Sequence, residues 1–591
     1  MADRYWVGGT GAWTTTSTTV WSATSGGASG ASVPTAADSV FFDQAGTRTV
    51  TLTGALACLD ITVSAGTHTF TSTGTITISG SMSLVAATVW SATGALTFNA
   101  TTAKTINTNG VTINGSIVFN GVAGSWQLQN ALTLNATRTV TLTNGTLDLQ
   151  SYTLTVGGFS SSGSTARTIA FGTGNITVNS AGGILWNAST VTNLTTTGSQ
   201  IVNVSNNTAS ATTITSGSPT EANSISFNFT TGTYVLTLTL GSKRNLNFTG
   251  FAGSVNNSAQ TIYGDLNLGS TATFTGGSLG WTFAATSGSK TITSSGKTMD
   301  FPLTFNGAGG TWVLQDALTM GSSRGLLHSN GTLDLSGKTL TVGTEYRTGT
   351  GTKNLTFNGG TLVCPASSVS AFINAVPTGF TTTVGTGTGT ISMTGATAKT
   401  FVGGGSTFNC TLNQGGLGAL TITGANTFSN ITNTVQPASV LFTAGTTSTF
   451  SDFNLNGTLG NPITISSATA ATHTLSKTSG TVSCDYLVLT NSIATGGAAW
   501  YAGANSVNVS GNTGWIFSAP GTNYTLTALN GTYSVSGQTA NISFGRLLSV
   551  ENGVYSVAGQ TVDISVGIPP TPITAIEYFV EIRSFTERRR F

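Results

Sequence analysis

Residues 116–134 read SIVFNGVAGSWQLQNALTL, and residues 302–320 read PLTFNGAGGTWVLQDALTM. Further on, NGTLDLQSYTLTVG (144–157) returns as NGTLDLSGKTLTVG (330–343). The offset is constant: 312 − 126 = 186 for the tryptophans, 334 − 148 = 186 for the aspartates, and 357 − 171 = 186 for Phe171 and Phe357. Two gapless blocks of about 75 residues, 103–178 and 289–364, mark duplication of a whole structural unit, and a fixed internal period governs every other reading of a chain. Neither block contains a recognisable active-site motif.

Within the first block, TVTLTNGTLDLQ (139–150) alternates apolar and polar residues. Period-two alternation rich in β-branched residues signals half-buried strands, which points Val140, Leu142, Leu147 and Leu149 inward and Thr141 and Asp148 outward. The same pattern runs through TRTVTLT (47–53) and HTFTSTGTITISG (68–80), with Asn-Gly, Gly-Ala or Ser-Gly turns about every 8–12 residues. No stretch carries helical periodicity. Asn-Gly between alternating strands is a hairpin signal and favours tandem β-sandwiches. In a solenoid the same residues turn corners between strands. The long duplication and the aromatic-rich ends favour the second reading: an all-β, elongated, repetitive β-solenoid of the parallel β-helix type, with aromatic caps and small C-terminal β modules. Coils of roughly 20–25 residues stacked about 4.8 Å apart give a rod on the order of 100 Å long.

Composition narrows the function classes. Only 6% of the 591 residues are charged and 77 are glycine, yet mean hydropathy is +0.18. Disorder goes with high charge and few β-branched residues, so the chain is expected to bury a core. A net charge of +2 gives no general attraction to nucleic acid or anionic membrane. No apolar run has the roughly 18 residues of a membrane span, and MADRYWVGGTGAW lacks the apolar segment of a signal peptide. Cys58, Cys364, Cys410 and Cys484 are far apart, without metal-ligand spacing, and read as buried free thiols.

The chain divides into a Trp-rich N-terminal cap (1–45), a repetitive shaft (46–517), short tandem repeats (518–567) and a charged tail (568–591). Trp6, Trp13 and Trp21 bring apolar area to the cap, with carbohydrate stacking as the alternative use of their rings. Trp500, Tyr501, Trp515 and Phe517 gather aromatics again at the far end of the shaft. In the tandem repeats NGTYSVSGQTANI (530–542) recurs as NGVYSVAGQTVDI (552–564), an offset of 552 − 530 = 22, each unit reading as a strand, a Gly-Gln turn and a second strand. The tail carries Glu577, Glu581, Arg583, Glu587, Arg588, Arg589 and Arg590. Its two readings are a solvated edge and a docking element; Glu577, Glu581, Arg583, Arg588, Arg589 and Arg590 are the candidate interaction residues.

The RYWVGG…W…VPTAADSVFFD opening, TGATAKTF…FNCTLNQGG, AWYAGANS…GNTGWIF and the Y-S-V-x-G-Q repeats resemble segments of tailed-bacteriophage virion proteins of the tail-fibre and tailspike-like β-helical kind. The resemblance implies a right-handed parallel β-helix or related fibre, homotrimeric, assembled in the host cytoplasm without a signal peptide and carried on the virion. It implies other tail or capsid proteins as partners and a host-surface glycan as ligand, with neither nucleic-acid binding nor membrane insertion. No receptor or catalytic residue carries over from it.

Catalytic residues, cofactors and metal ligands are each expected to be none. Polysaccharide cleavage needs paired carboxylates or a lyase base. Between Asp60 and Glu551 stand only Asp148, Glu221, Asp265, Asp300, Asp316, Asp334, Glu345, Asp452 and Asp485. Asp316, Asp334 and Glu345 are the one group that adjacent coils could bring together. His68, His328 and His473 are too scattered for a triad. Outward threonine rows, as in TVTLT and TITIS, also suit an ice-binding solenoid. A cellular surface adhesin is a further alternative.

Overall fold

In the structure, a computed structural model, residues 2–180, 182–205, 210–367 and 369–520 are described, with two further short strands, Ser534–Ser536 and Ser556–Ala558. Leu132, Leu154, Ile176, Val202, Phe227, Leu246, Leu266, Ile292 and Leu314 stand in register in one unbroken parallel ladder. Each is buried, so the ladder is a column of the core. A second column runs Ile76, Leu96, Ile117, Val140, Phe159, Trp186, Ile214, and a third includes Met82, Ile106 and Leu128. Each coil therefore supplies three strands, one to each face of a parallel β-solenoid. Among the described residues the only antiparallel strand pair is Asp3–Trp6 with Trp21–Ser22, inside the N-terminal segment. That rules out tandem sandwiches.

Beyond that segment and up to Thr495, the step between paired residues runs from 492 − 473 = 19 to 400 − 370 = 30. This is wider than the alternation suggests. Strands stay in register because one face is buried, while loops at the corners absorb insertions.

The duplicated stretch forms the longest strands, Ile117–Leu128 and Leu303–Leu314, with one burial pattern in both. Ile117, Phe119, Gly121, Gly124, Trp126 and Leu128 point inward, and so do their counterparts in the second copy. Each strand bends across two faces, at Ala123 (φ 61°) and Gly309 (φ 89°). In the next coil Asn144-Gly145 and Asn330-Gly331 occupy the same bend, with the glycines at φ 81° and 82°. Side-chain amides stack along it, Asn144 donating to Asn120 at 2.6 Å and Asn330 to Asn306 at 2.7 Å. Asn-Gly here turns a corner between parallel strands instead of closing a hairpin; both uses need φ > 0. Trp126 and Trp312 are fully buried beneath these corners. A Cβ on Gly145 or Gly331 would lie 3.0 or 2.8 Å from the indole, which leaves room for glycine alone.

The two copies share local geometry but not a face. Leu128 ends one strand segment and Leu132 opens the next face of the same coil. Leu314, the counterpart of Leu128, lies on the ladder that Leu132 begins, eight steps on. The duplication offset thus comprises eight coils plus one face, and the second copy is advanced one face around the axis.

Aromatic rings fill the core and both ends. Trp21 meets Trp6 and Trp13 edge-on, each at 5.2 Å, and all three are fully buried against Phe42. Their burial removes the carbohydrate-stacking alternative. Trp500 and Trp515 cross at 5.2 Å over Phe453 at the other end. The four cysteines are buried and free. Burial raises each thiol, that of Cys484 to about 12.

Candidate functional site

Carboxylates are the first place to look for chemistry, and each of the nine between Asp60 and Glu551 has a structural partner. Asp60 itself, at the start of the shaft, accepts the Ser81 N–H at 2.7 Å. Asp316 accepts the backbone N–H groups of Ser294 (2.7 Å) and Ser295 (2.6 Å), holding the turn of the preceding coil. Its counterpart in the first copy, Asn130, accepts from the Thr108 N–H at 3.2 Å. A neutral amide fills the same role, so the site requires an acceptor and not an acid. Asp148 and Asp334 accept the N–H two residues on, from Gln150 (3.0 Å) and Ser336 (2.8 Å), which stand at φ 57° and 49°. These are Asx turns, in which the side chain stabilises a left-handed residue.

Asp265 accepts from Thr291, Glu221 from Thr286, and Asp485 from Tyr486 and Asn505. Burial pushes the Asp485 carboxyl up, but the hydrogen bonds from Asn505 and Tyr486 outweigh it, so it is held below the usual range. The remaining three form ion pairs: Asp300 with Arg324 (2.8 Å), Glu345 with Arg347 (3.5 Å) and Asp452 with Lys477 (3.2 Å). Asp316, Asp334 and Glu345 thus serve separate turns and an ion pair, and share no bond. Among the described residues, no three His, Cys, Asp or Glu side chains gather as metal ligands.

The histidines lie in the core. His328 sits between the Tyr346 hydroxyl (2.6 Å from Nδ1) and the Gly331 carbonyl (3.1 Å from Nε2), which fixes a neutral ring donating from Nε2. Burial holds it down at about 4. His473 shares a hydrogen bond of 2.8 Å between Nδ1 and the Ser467 hydroxyl and is likewise held at about 4 by burial.

Sequence reading missed a set of buried cations. Arg167 is enclosed by the carbonyls of Ser161 (2.6 Å), Thr165 (2.9 Å), Thr190 (3.1 Å) and Thr192 (2.7 Å). Lys353, at 353 − 167 = 186, is enclosed by those of Gly351 (3.0 Å), Val376 (2.9 Å) and Thr378 (3.1 Å). These three are the counterparts of Thr165, Thr190 and Thr192. Lys399 repeats the device with Gly395 and Gly418, and Lys243 with Thr239 and Gln260. Burial lowers all four groups, Lys243 to about 7 and Lys399 to about 8. A buried charge normally needs an opposite charge; here backbone carbonyls of the corner loops, and for Lys243 also the Gln260 side-chain oxygen, supply the partners. The signal was present: Arg167 and Lys353 occupy inward positions of RTIAF and KNLTF, at the duplication offset.

The outer surface offers hydrogen bonding without charge. Thr112, Thr133, Thr155, Thr177, Asn203, Asn228, Asn247, Asn267 and Thr293 form one outward row along the face of the Leu132 ladder. Over the corner of the second copy an open groove of about 210 Å³ is lined by Ala308, Gly309, Gly310, Gly331, Thr332, Thr352 and Asn354. In the first copy Val122, 70% exposed, stands where Ala308 opens that groove. Glu577, Glu581, Arg583, Arg588, Arg589 and Arg590 lie outside the described residues. Comparisons with family profiles, curated proteins and solved structures returned no match to the chain.

Proposed function

We propose that this chain is a structural, non-enzymatic appendage of a tailed-phage virion, of the tail-fibre or tailspike-like kind, that serves host attachment. It acts as a homotrimer assembled in the host cytoplasm, bound to other tail or capsid proteins, and takes a host-surface glycan as ligand. The observation that carries the non-enzymatic part is the use of every shaft carboxylate in a turn, a backbone hydrogen bond or an ion pair, without a paired-carboxylate arrangement. Support for attachment comes from a long solenoid whose outside presents rows of neutral Thr and Asn, the chemistry that hydrogen-bonds a sugar. The virion setting rests on the resemblance of the opening, closure and Y-S-V-x-G-Q motifs.

Purified protein should be rod-shaped and trimeric by electron microscopy and light scattering, and should bind host glycan without releasing reducing ends. A compact monomer contradicts the proposal. Reducing-end release abolished by Asp316→Ala, Asp334→Ala or Glu345→Ala would make it a degrading tailspike. Recovery from intact cells that carry no phage would make it an adhesin.

A further inference from the structure

Among the described residues His68 is the one histidine without a hydrogen-bond partner at either ring nitrogen, although it is fully buried. His328 and His473 each have at least one. The His68 ring stands edge-on to Phe42 at 5.5 Å. Phe42 in turn carries the N-terminal cap, with Trp6 at 5.7 Å, Trp13 at 6.2 Å and Trp21 at 6.1 Å. Below the tryptophans, the cap therefore rests on a polar ring that nothing satisfies.

The charged surroundings of that ring are few. Arg48 pairs directly with His68 in the parallel ladder, and its guanidinium donates to the carbonyls of Gln44 (2.8 Å) and Ala45 (2.5 Å). The following coil meets it with 84–92, and the cap with 6–21; neither stretch holds a charged or titratable residue. Burial, and after it the Arg48 charge, disfavours the imidazolium. The Ala65 carbonyl, outside hydrogen-bond geometry, and the Asp43 carboxylate favour it by less, so the ring is held below its ordinary 6.5. Protonated in place, His68 would put a second positive charge one residue pair from Arg48, with no acceptor, beneath the ring that holds three tryptophans. A terminal unit of a solenoid has a neighbour on one side only, so it can open without unstacking the rest.

We propose that the N-terminal cap is an acid-released latch, in which protonation of His68 frees Trp6, Trp13 and Trp21 from Phe42 and bares the end of the core while the shaft stays stacked. The closed cap has its full stability above pH 6.5. Below that value the open form binds one more proton than the closed form, so closure weakens by up to about tenfold per pH unit until the buried ring itself titrates. Asp38 lies outside this window. Burial pushes its carboxyl up, but the hydrogen bonds from Thr35 and Ala2 outweigh it and hold it below 3.8.

Hydrogen–deuterium exchange on the full chain, corrected for the intrinsic effect of pH on exchange, tests the latch. The amides of Val7, bonded to Val20, and of Thr53, bonded to Trp13, report on the cap. Those of Leu149 and Asn179, several coils from every histidine, report on the shaft. Between pH 6.5 and about 4.5 the cap amides should lose protection at least about tenfold, while the shaft amides keep theirs. His68→Leu should make cap protection independent of pH over this range. Arg48→Met should lessen the loss, because the closed cap then accepts the proton more readily; this variant serves equally if His68→Leu disturbs the cap. His328→Leu should leave the loss unchanged. Cap protection that stays flat in the unmodified chain overturns the proposal. A loss that persists in His68→Leu, or is no smaller in Arg48→Met, assigns the acid response to another group and overturns it. Shaft amides that lose protection together with the cap overturn it as well.

Discussion

At Arg167 and Lys353 the same carbonyl cage accepts a guanidinium in one copy and an ammonium in the other. What the corner needs is a cation with several donors, so Arg167→Lys and Lys353→Arg should change stability little. Arg167→Met or Lys353→Met leaves buried carbonyls without donors and should cost about 1–3 kcal/mol per acceptor that water does not reach. Denaturant midpoints of the four variants separate a need for charge and donors from a need for bulk. His328 gives a pH test. Its folded pKa of about 4 lies below the ordinary 6.5 of an unfolded histidine, as does that of His473. Between these values the unfolded chain binds more protons, so stability is full above pH 6.5 and falls as pH drops toward 4, by about 3 kcal/mol for each ring. His328→Leu places the first copy's residue, Leu142, at the equivalent position and should remove about half of that decline. An unchanged slope in thermal melts between pH 6.5 and 4 would contradict the buried neutral ring.

At the scale of the strand and its corner, the tryptophan under the bend is the critical contact. Trp126→Ala and Trp312→Ala each empty a fully buried indole site and should cost about 3–5 kcal/mol, by similar amounts because the burial pattern of the strand and the glycine corner over the ring are the same in both copies. Gly145→Ala and Gly331→Ala combine a left-handed backbone with a Cβ against that ring and should each lower the melting temperature measurably. Strand existence and the inward set Val140, Leu142, Leu147 and Leu149 were legible in the sequence, because alternation reports burial directly. Parallel pairing was less so. Asn144-Gly145 reads equally as a hairpin and as a solenoid corner, since both demand a left-handed glycine, and it is the long duplication and the aromatic-rich ends that tip the choice. Equal places in the two copies pointed Asp148 and Asp334 to a structural turn, where their bonds to Gln150 and Ser336 hold them; the role of Asp316 was less legible, because a carboxylate that holds a turn and one that cleaves a bond look alike until the partner N–H is placed.

At the scale of the whole molecule, the duplication lengthens the rod and also rotates it. Because the offset between the copies makes eight coils and one face, the outer surfaces of the two blocks lie on neighbouring faces. The Asn120 and Asn306 corners are thus displayed in two directions. A register set by a buried column also explains why short coils, such as the step from His473 to Ser492, coexist with long ones, such as that from Ser370 to Thr400: the column fixes the strands and the corners take up the difference. Electron cryo-microscopy of the purified full-length chain tests this arrangement most directly. The expected map is a rod of stacked coils with roughly 4.8 Å spacing, on the order of 100 Å long, in which Leu314 continues the column of Leu132. A compact particle of antiparallel sheets, or a rod in which Leu314 continues the column of Leu128, would contradict it.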